Sequence, residues 1–327
     1  MSIVDYIHEQ PRAVAAAIAA ARDWRAQARP AWGPARGGLH FVGSGSSRNA
    51  ILAAAPSFAA AGWAPIAIHG PSRFVADARA GRIAGGVVVV LSQSGASVTS
   101  IEAAMAARVA GRDVLSITAE AASPLARGGG PLLVMPIGPE PIGPKTKGFT
   151  ASVATLLALA GAPGDPGASF AIALAAAPDW AGRLIDRADR ADMVLVTASG
   201  ALYGIALEAS LKIAEIAGIP TACFPWEEVL HGRLHGLTPA SVCVVIVDDA
   251  RTRAEAERAR IAMHARGVAI DLLDLADDLP PPWSILAGVT PFQWLAVRLA
   301  ERRGMAPEAM RYPGLSADLA IKTNPPP

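Results

Sequence analysis

Residues 86–97 read GVVVVLSQSGAS, and the fold is decided in this stretch. Five apolar residues in a row, Val87 to Leu91, leave a strand with no polar face. A strand of that kind must be covered on both sides, which is the situation of a parallel sheet between two layers of helices. The run stops at Ser92, and Ser-Gln-Ser-Gly-Ala-Ser then supplies turn residues and N-cap chemistry for a helix. Working outward, the same grammar recurs in LHFVG (39–43), APIAIHG (64–70), DVLSITA (113–119) and PLLVMPIG (131–138). The alternation predicts one α/β domain from about Leu39 to Leu159.

GAPGDPG (161–167) interrupts the pattern with residues that stop helices and favour an exposed connector. The grammar then restarts in MVLVTASG (193–200), a helix from about Leu202 to Ala217, IPTACF (219–224), SVCVVIVD (241–248) and VAIDLLDL (268–275). FVGSGSS and LVTASGAL each feed a helix from a strand, at the separation a duplicated domain would give. Residues 3–28 are Ala-rich and free of glycine, which predicts a single leading helix that ends before Pro30. The expected organisation is a helix over 1–28, a first domain over 29–165 and a second over 166–327.

The bulk numbers narrow the function. A length of 327 residues suits two domains, and 52% apolar with 17% charged residues describes a compact chain. A net charge of +1 leaves no basic surplus for a phosphate backbone, so nucleic acid is not an expected partner. No apolar run approaches the roughly 20 residues of a membrane span, and MSIVDYIHEQPR lacks the order of a signal peptide. Two cysteines are too few for a disulfide framework or a thiolate metal cage, and a cytoplasmic location is expected.

Two turns can hold an anion. Gly43-Ser44-Gly45-Ser46-Ser47 lies between a strand and a helix, where free N–H groups and the helix dipole favour negative charge. A dinucleotide fingerprint needs a third glycine where Arg48 or Asn49 stands and an acid after the next strand, which ends His69-Gly70. Ser92, Gln93, Ser94 and Ser97 offer hydroxyls and a carboxamide able to hold a phosphate dianion without metal or arginine. A nucleophile elbow fails because Ser92 occupies the glycine position before Ser94, and no Gly-Lys-Ser/Thr is present for a Walker loop.

Downstream, Glu208, Lys212 and Glu215 project from one face of YGIALEASLKIAEIAG at i, i+4 and i+7. The stripe is either a solvated ion-pair face or, on a helix apolar elsewhere, the lining of a polar cavity. His231 and His235 in PWEEVLHGRLHG have a metal-compatible spacing, but two glycines weaken the helix and the inner Glu of a zinc-protease motif is absent. One proton-moving histidine is the expectation, with no metal and no cofactor.

Taken in order, GSGSS, SQSGAS, EPIGPKTKGFT with Glu140 and Lys147, IALEASLKIAEI, and His231-Gly232 resemble the isomerase half of glutamine:fructose-6-phosphate amidotransferase and its relatives in the sugar-isomerase (SIS) family. The resemblance runs from about Leu39 to the tail. It implies two tandem SIS domains, each a parallel sheet flanked by helices on both faces, and a small-molecule sugar phosphate as ligand. Gly45, Ser46, Ser47, Ser92, Gln93, Ser94, Ser97 and Lys145 would bind it. Glu215 would move a proton between C1 and C2 of the open-chain sugar. His231 would assist ring opening, as part of a homodimer with shared sites, while Glu208 and Lys212 would line the cavity.

Departures from the family pattern are visible too. The glutaminase half and its cysteine nucleophile are not found in this sequence. Lys145 replaces a small residue near the phosphate, Arg233 replaces a proline, and Thr99 stands where an acid is frequent. The family's tail lysine, which can form a Schiff base, has no exact counterpart in GLSADLAIKTN: Lys322, one residue displaced, is either the catalytic candidate for that role or a solvated tail charge. The expected function is an isomerase or aminosugar-phosphate deaminase, with a fructosamine-6-phosphate deglycase or a non-catalytic sugar-phosphate-binding regulator as alternatives.

Overall fold

The computed structural model describes residues 1–28, 32–275 and 279–323. The chain forms two compact units. One comprises Arg12–Glu140, Lys147–Gly164 and the chain from Tyr312 onward. The other comprises Met1–Pro11, Pro141–Thr146 and Asp165–Arg311.

The leading segment is two helices where the sequence predicts one, α1 (Ile3–His8) and α2 (Gln10–Gln27). Pro11 is the cause: it has no N–H for the carbonyl of Ile7 and its ring crowds that position. The buried side chain of Gln10 supplies the missing donor, its Nε2 reaching Ile7 O at 3.0 Å.

In the first unit the strands are β1 (Leu39–Val42), β2 (Ile66–His69), β3 (Val87–Leu91), β4 (Asp113–Thr118) and β5 (Leu132–Val134). They form a parallel sheet in the order β2-β1-β3-β4-β5. Its helices are α3 (Ser46–Ala60), α4 (Pro71–Arg79), α5 (Val98–Val109), α6 (Pro124–Arg127) and α7 (Lys147–Ala160), with the rest of α2. Both faces are covered. Val42, Val88 and Val90 pack with Phe74, Val75, Ala103 and Ala107 from α4 and α5. On the other face Phe41 meets Phe58 of α3 with ring centroids 5.0 Å apart, and α7, buried at all fourteen positions, packs on α3.

The second unit repeats the plan with α8 (Gly167–Asp189), β6 (Met193–Ala198), α9 (Leu202–Ala217), β7 (Thr221–Pro225), α10 (Trp226–Leu230), β8 (Ser241–Val247), α11 (Ala250–His264), β9 (Ile270–Asp274) and α12 (Thr290–Arg302). Its parallel sheet runs β7-β6-β8-β9. Leu195, Cys243, Val245 and Val247 pack against Trp226, Val229, Ala256 and Ala259, while α12 packs on α8 and α9. Cys223 on β7 and Cys243 on β8 are free thiols, and burial pushes both up to about 12.

Strand order is what prepares a site. In the first sheet the chain goes outward from β1 to β2 and then back across to β3, so β1 and β3 are neighbours whose following helices lie on opposite faces. Loops leaving the carboxyl ends of such a pair diverge and open a crevice. Those two loops are GSGSS and SQSGAS.

Candidate functional site

In the first unit, Gly45 precedes α3, and Ser46 and Ser47 are its half-buried first residues. The second loop is held by its neighbours through the backbone. Ser92 N–H donates to Ile117 O at 3.0 Å, and Gly95 N–H donates to Ser92 O at 2.9 Å. Gln93 O accepts from Ala119 N–H at 2.9 Å and from the Thr118 hydroxyl at 3.1 Å, and Gly95 O accepts from Leu125 N–H at 3.0 Å. Gly95 is required in two ways. Its φ of +60° is left-handed, and a Cβ there would lie 2.1 Å from Ser123 Oγ.

The hydroxyls of this loop are therefore presented by a fixed frame. Ser92 is buried, while Ser94 and Ser97 are half-exposed. Ser97 occupies the N-cap of α5 without capping it through its side chain. Its oxygen instead accepts from the Ser100 hydroxyl at 3.2 Å and lies 3.5 Å from Thr99 Oγ1. Gln93 reaches the start of α7: a Cβ on Gly148 would come within 3.0 Å of Gln93 Cγ and Nε2 and of Glu140 Oε2. The Glu140 carboxylate accepts from Gly148 N–H at 3.1 Å, where a negative charge suits the helix dipole. Lys147 is buried beside it in sequence, at the first position of α7.

The tail also joins this loop. Thr323 N–H donates to Ala96 O at 2.8 Å, and Val98 N–H donates to Ile321 O at 3.2 Å. Lys322 thereby forms an antiparallel bridge with Ser97. Neither the tail strand nor the bracing by Thr118 and Ser123 was legible in the sequence. A single bridge has no periodicity, and the two hydroxyl residues belong to another strand and turn.

In the second unit the charged stripe of α9 is buried. Glu208 is 0% exposed and Lys212 1%. Lys212 Nζ lies 3.1 Å from Glu208 Oε1 and also donates to Glu215 Oε1. Burial alone would drive the ammonium off, but Glu208 and Glu215 outweigh it and hold Lys212 above its ordinary range. Burial also raises Glu215 above the usual carboxylate range. Lys212 opposes that shift, Glu208 reinforces it, and Lys145 opposes it more weakly. Lys145, which the resemblance assigns to the phosphate, thus acts on the Glu215 carboxylate, and its Nζ donates to Ile142 O at 2.8 Å.

Of the three charges Glu215 is the least enclosed, its side chain 17% exposed. A carboxylate that is mostly dry, fixed by an ammonium and open on one side can accept a proton from a bound carbon acid and return it. His231 lies at the end of α10, exposed, with Nδ1 2.8 Å from Glu227 O. A carbonyl only accepts, so Nδ1 carries a hydrogen and donates it to Glu227 O, which leaves Nε2 as the ring nitrogen outside that bond. Gly232, at φ +117°, ends the helix, and His235 falls in the separate turn Arg233–Gly236. The two histidines are therefore not stacked on one helical face. Arg233 stacks over Phe224, 3.8 Å from its centroid.

Comparison with known proteins places this arrangement. Residues 38–162 match the SIS domain family. The chain is an SIS-domain protein. Over 302 residues this SIS-domain protein is 29% identical to the isomerizing glutamine–fructose-6-phosphate aminotransferase of Acidithiobacillus ferridurans, covering 80% of this chain and 47% of that one. It spans about half the length, or less, of the curated relatives it matches. Its fold is similar to a Clostridium difficile 630 protein provisionally described as a phosphosugar isomerase, with a TM-score of 0.85, 18% identity and 99% of each chain covered. It is also similar to Thermotoga maritima glucosamine-6-phosphate deaminase, with a TM-score of 0.72, 18% identity, and 93% and 98% of the two chains covered. No helix among the described residues is long and apolar enough to cross a membrane.

Proposed function

We propose that this SIS-domain protein is an enzyme that shifts a proton between C1 and C2 of a phosphorylated sugar. The observation that carries the reading is the Lys212 ammonium, buried between Glu208 and Glu215, with Glu215 left partly open. The serines at 46, 47, 92, 94 and 97, with Gln93 and the turn at Gly45, bind the phosphate and sugar oxygens. Nε2 of His231 takes and returns the proton that opens the ring, in a homodimer whose sites are shared.

One proton shift serves two reactions. On a ketose or aldose phosphate, Glu215 removes a proton from one carbon while the carbonyl oxygen takes up a proton to give an enediol. The carbon proton then returns to the neighbouring carbon as the other hydroxyl gives up its proton and becomes the new carbonyl. On a 2-amino sugar 6-phosphate the shift gives an imine at C2, which water then hydrolyses to ketose phosphate and ammonia. The relatives support both, since one solved structure of this fold is a glucosamine-6-phosphate deaminase and another a tagatose-6-phosphate ketose/aldose isomerase.

The test is an NMR time course with glucosamine 6-phosphate, fructose 6-phosphate and a fructosamine 6-phosphate. Ammonia release or sugar isomerisation is expected, and kcat should fall by roughly 10²–10⁴ in Glu215→Gln with the fold unchanged by circular dichroism. Release of an amino acid from the fructosamine would assign a deglycase instead. Tight binding without product, at the same affinity in Glu215→Gln, would overturn the enzyme reading and leave a sugar-phosphate-binding regulator.

A further inference from the structure

We propose that Lys322 is a phosphate-binding residue of the Ser92–Ser97 loop, delivered by the tail strand, and that it does not form a Schiff base. The inference rests on the sugar-phosphate reading above and assigns a residue within it.

Strand register carries the argument. The two hydrogen bonds, Val98 N–H to Ile321 O and Thr323 N–H to Ala96 O, flank the Ser97–Lys322 pair and do not lie within it. That is the non-hydrogen-bonded type of antiparallel pair, in which opposed Cα atoms are only about 4.5 Å apart and the two side chains stand on one face. Lys322 therefore shares a face with the Ser97 side chain. Thr323 secures the register further, its hydroxyl lying 3.3 Å from Ala96 O.

Alternation then decides between two roles. Side chains one residue apart on a strand leave on opposite faces, so a shift of one position turns a lysine away from the place it would otherwise reach. Lys322, opposite Ser97, faces where Ser97 faces, and a lysine one position earlier, in place of Ile321, would face the other way.

Charge completes the case. The stretch SQSGASVT, residues 92–99, contains no lysine or arginine. The tail occupies the Val98 N–H, an amide at the start of α5 that an anion could have used. In exchange it brings an exposed ammonium, a compact charge on a flexible stem well suited to a phosphate. Hydroxyls and a lysine then share the dianion.

Calorimetry with fructose 6-phosphate and with fructose, at two salt concentrations, tests the assignment. Lys322→Met is expected to weaken fructose 6-phosphate roughly tenfold or more and to flatten its salt dependence, leaving fructose unaffected, while Lys322→Arg keeps most of the affinity. Thr323→Pro, which deletes the donor to Ala96, should weaken the phosphorylated sugar in the same way. Borohydride reduction of the wild type with fructose 6-phosphate should add no mass to the chain. Unchanged affinity in Lys322→Met, or a borohydride-stable adduct on Lys322, overturns this assignment alone. A wild type that binds neither fructose 6-phosphate nor glucosamine 6-phosphate overturns the sugar-phosphate reading and this assignment with it.

Discussion

Lys212 is enclosed by a helix that is apolar at most other positions, and it is the cation that makes two acidic neighbours tolerable there. Lys212→Met should therefore cost about 3–5 kcal/mol at neutral pH by urea denaturation, because a fully buried Glu208 carboxylate loses its counter-charge. The loss should shrink as pH falls and Glu215, whose pKa burial raises, takes up its proton. Glu215 sets a second expectation. Burial raises its pKa above 4.5, and the base must be ionised, so turnover should rise with pH through a limb lying above 4.5. In Lys212→Met that limb should move higher still, since the cation that opposes the shift is gone. The stability signs agree. Glu215 holds its proton more tightly when folded, so its contribution is complete below 4.5 and is lost as pH rises through the folded value. Lys212 behaves likewise, its contribution complete below 10.5 and lost above that. The i, i+4, i+7 spacing made this stripe legible as one face. It left open whether the face was solvated, because burial is settled by tertiary packing.

Elements were easier to read than their ends. All nine apolar runs picked out from the chain contain strands, and those buried at every position, Val87–Leu91 and Ser241–Val247, are the ones written as the longest apolar runs. The leading segment departs from the single helix its composition predicts because Pro11 breaks the hydrogen-bond ladder; a side chain, Gln10, makes good the donor that Pro11 lacks. The tail strand was invisible for the opposite reason, being two hydrogen bonds with no pattern of its own. The Ser92–Ser97 loop was legible as hydroxyl-rich, yet its rigidity comes from β4 and the turn at Ser123, which no local motif announces. Gly95→Ala measures that rigidity. A left-handed alanine costs about 1–2 kcal/mol, and the clash with Ser123 adds to it. A fall in thermal midpoint is expected together with loss of fructose 6-phosphate binding, and a variant with unchanged affinity would show that the loop frame does not matter.

Across the whole chain, each unit borrows short segments from the far side of the sequence. Ile3 and Ile7 of α1 are fully buried, Tyr6 nearly so, and α1 packs on α12. A fragment covering the proposed second domain, 166–327, would lack them. Burial of three such side chains, at about 1.5–3 kcal/mol each, is comparable to the net stability of a domain, about 5–15 kcal/mol. That fragment is expected to be poorly soluble and to lack near-ultraviolet dichroism, and residues 1–11 supplied as a peptide should partly restore it. A fragment 29–165 would in turn lack the tail strand and should bind fructose 6-phosphate more weakly than the full chain. Following the tail against the Ser92–Ser97 loop calls for a reporter, and the two native thiols make one easy to install. Since Cys223 and Cys243 stay protonated far above neutral pH, a cysteine introduced on the surface can carry a maleimide dye with little background labelling. Fluorescence could then follow tail and loop in the otherwise native molecule.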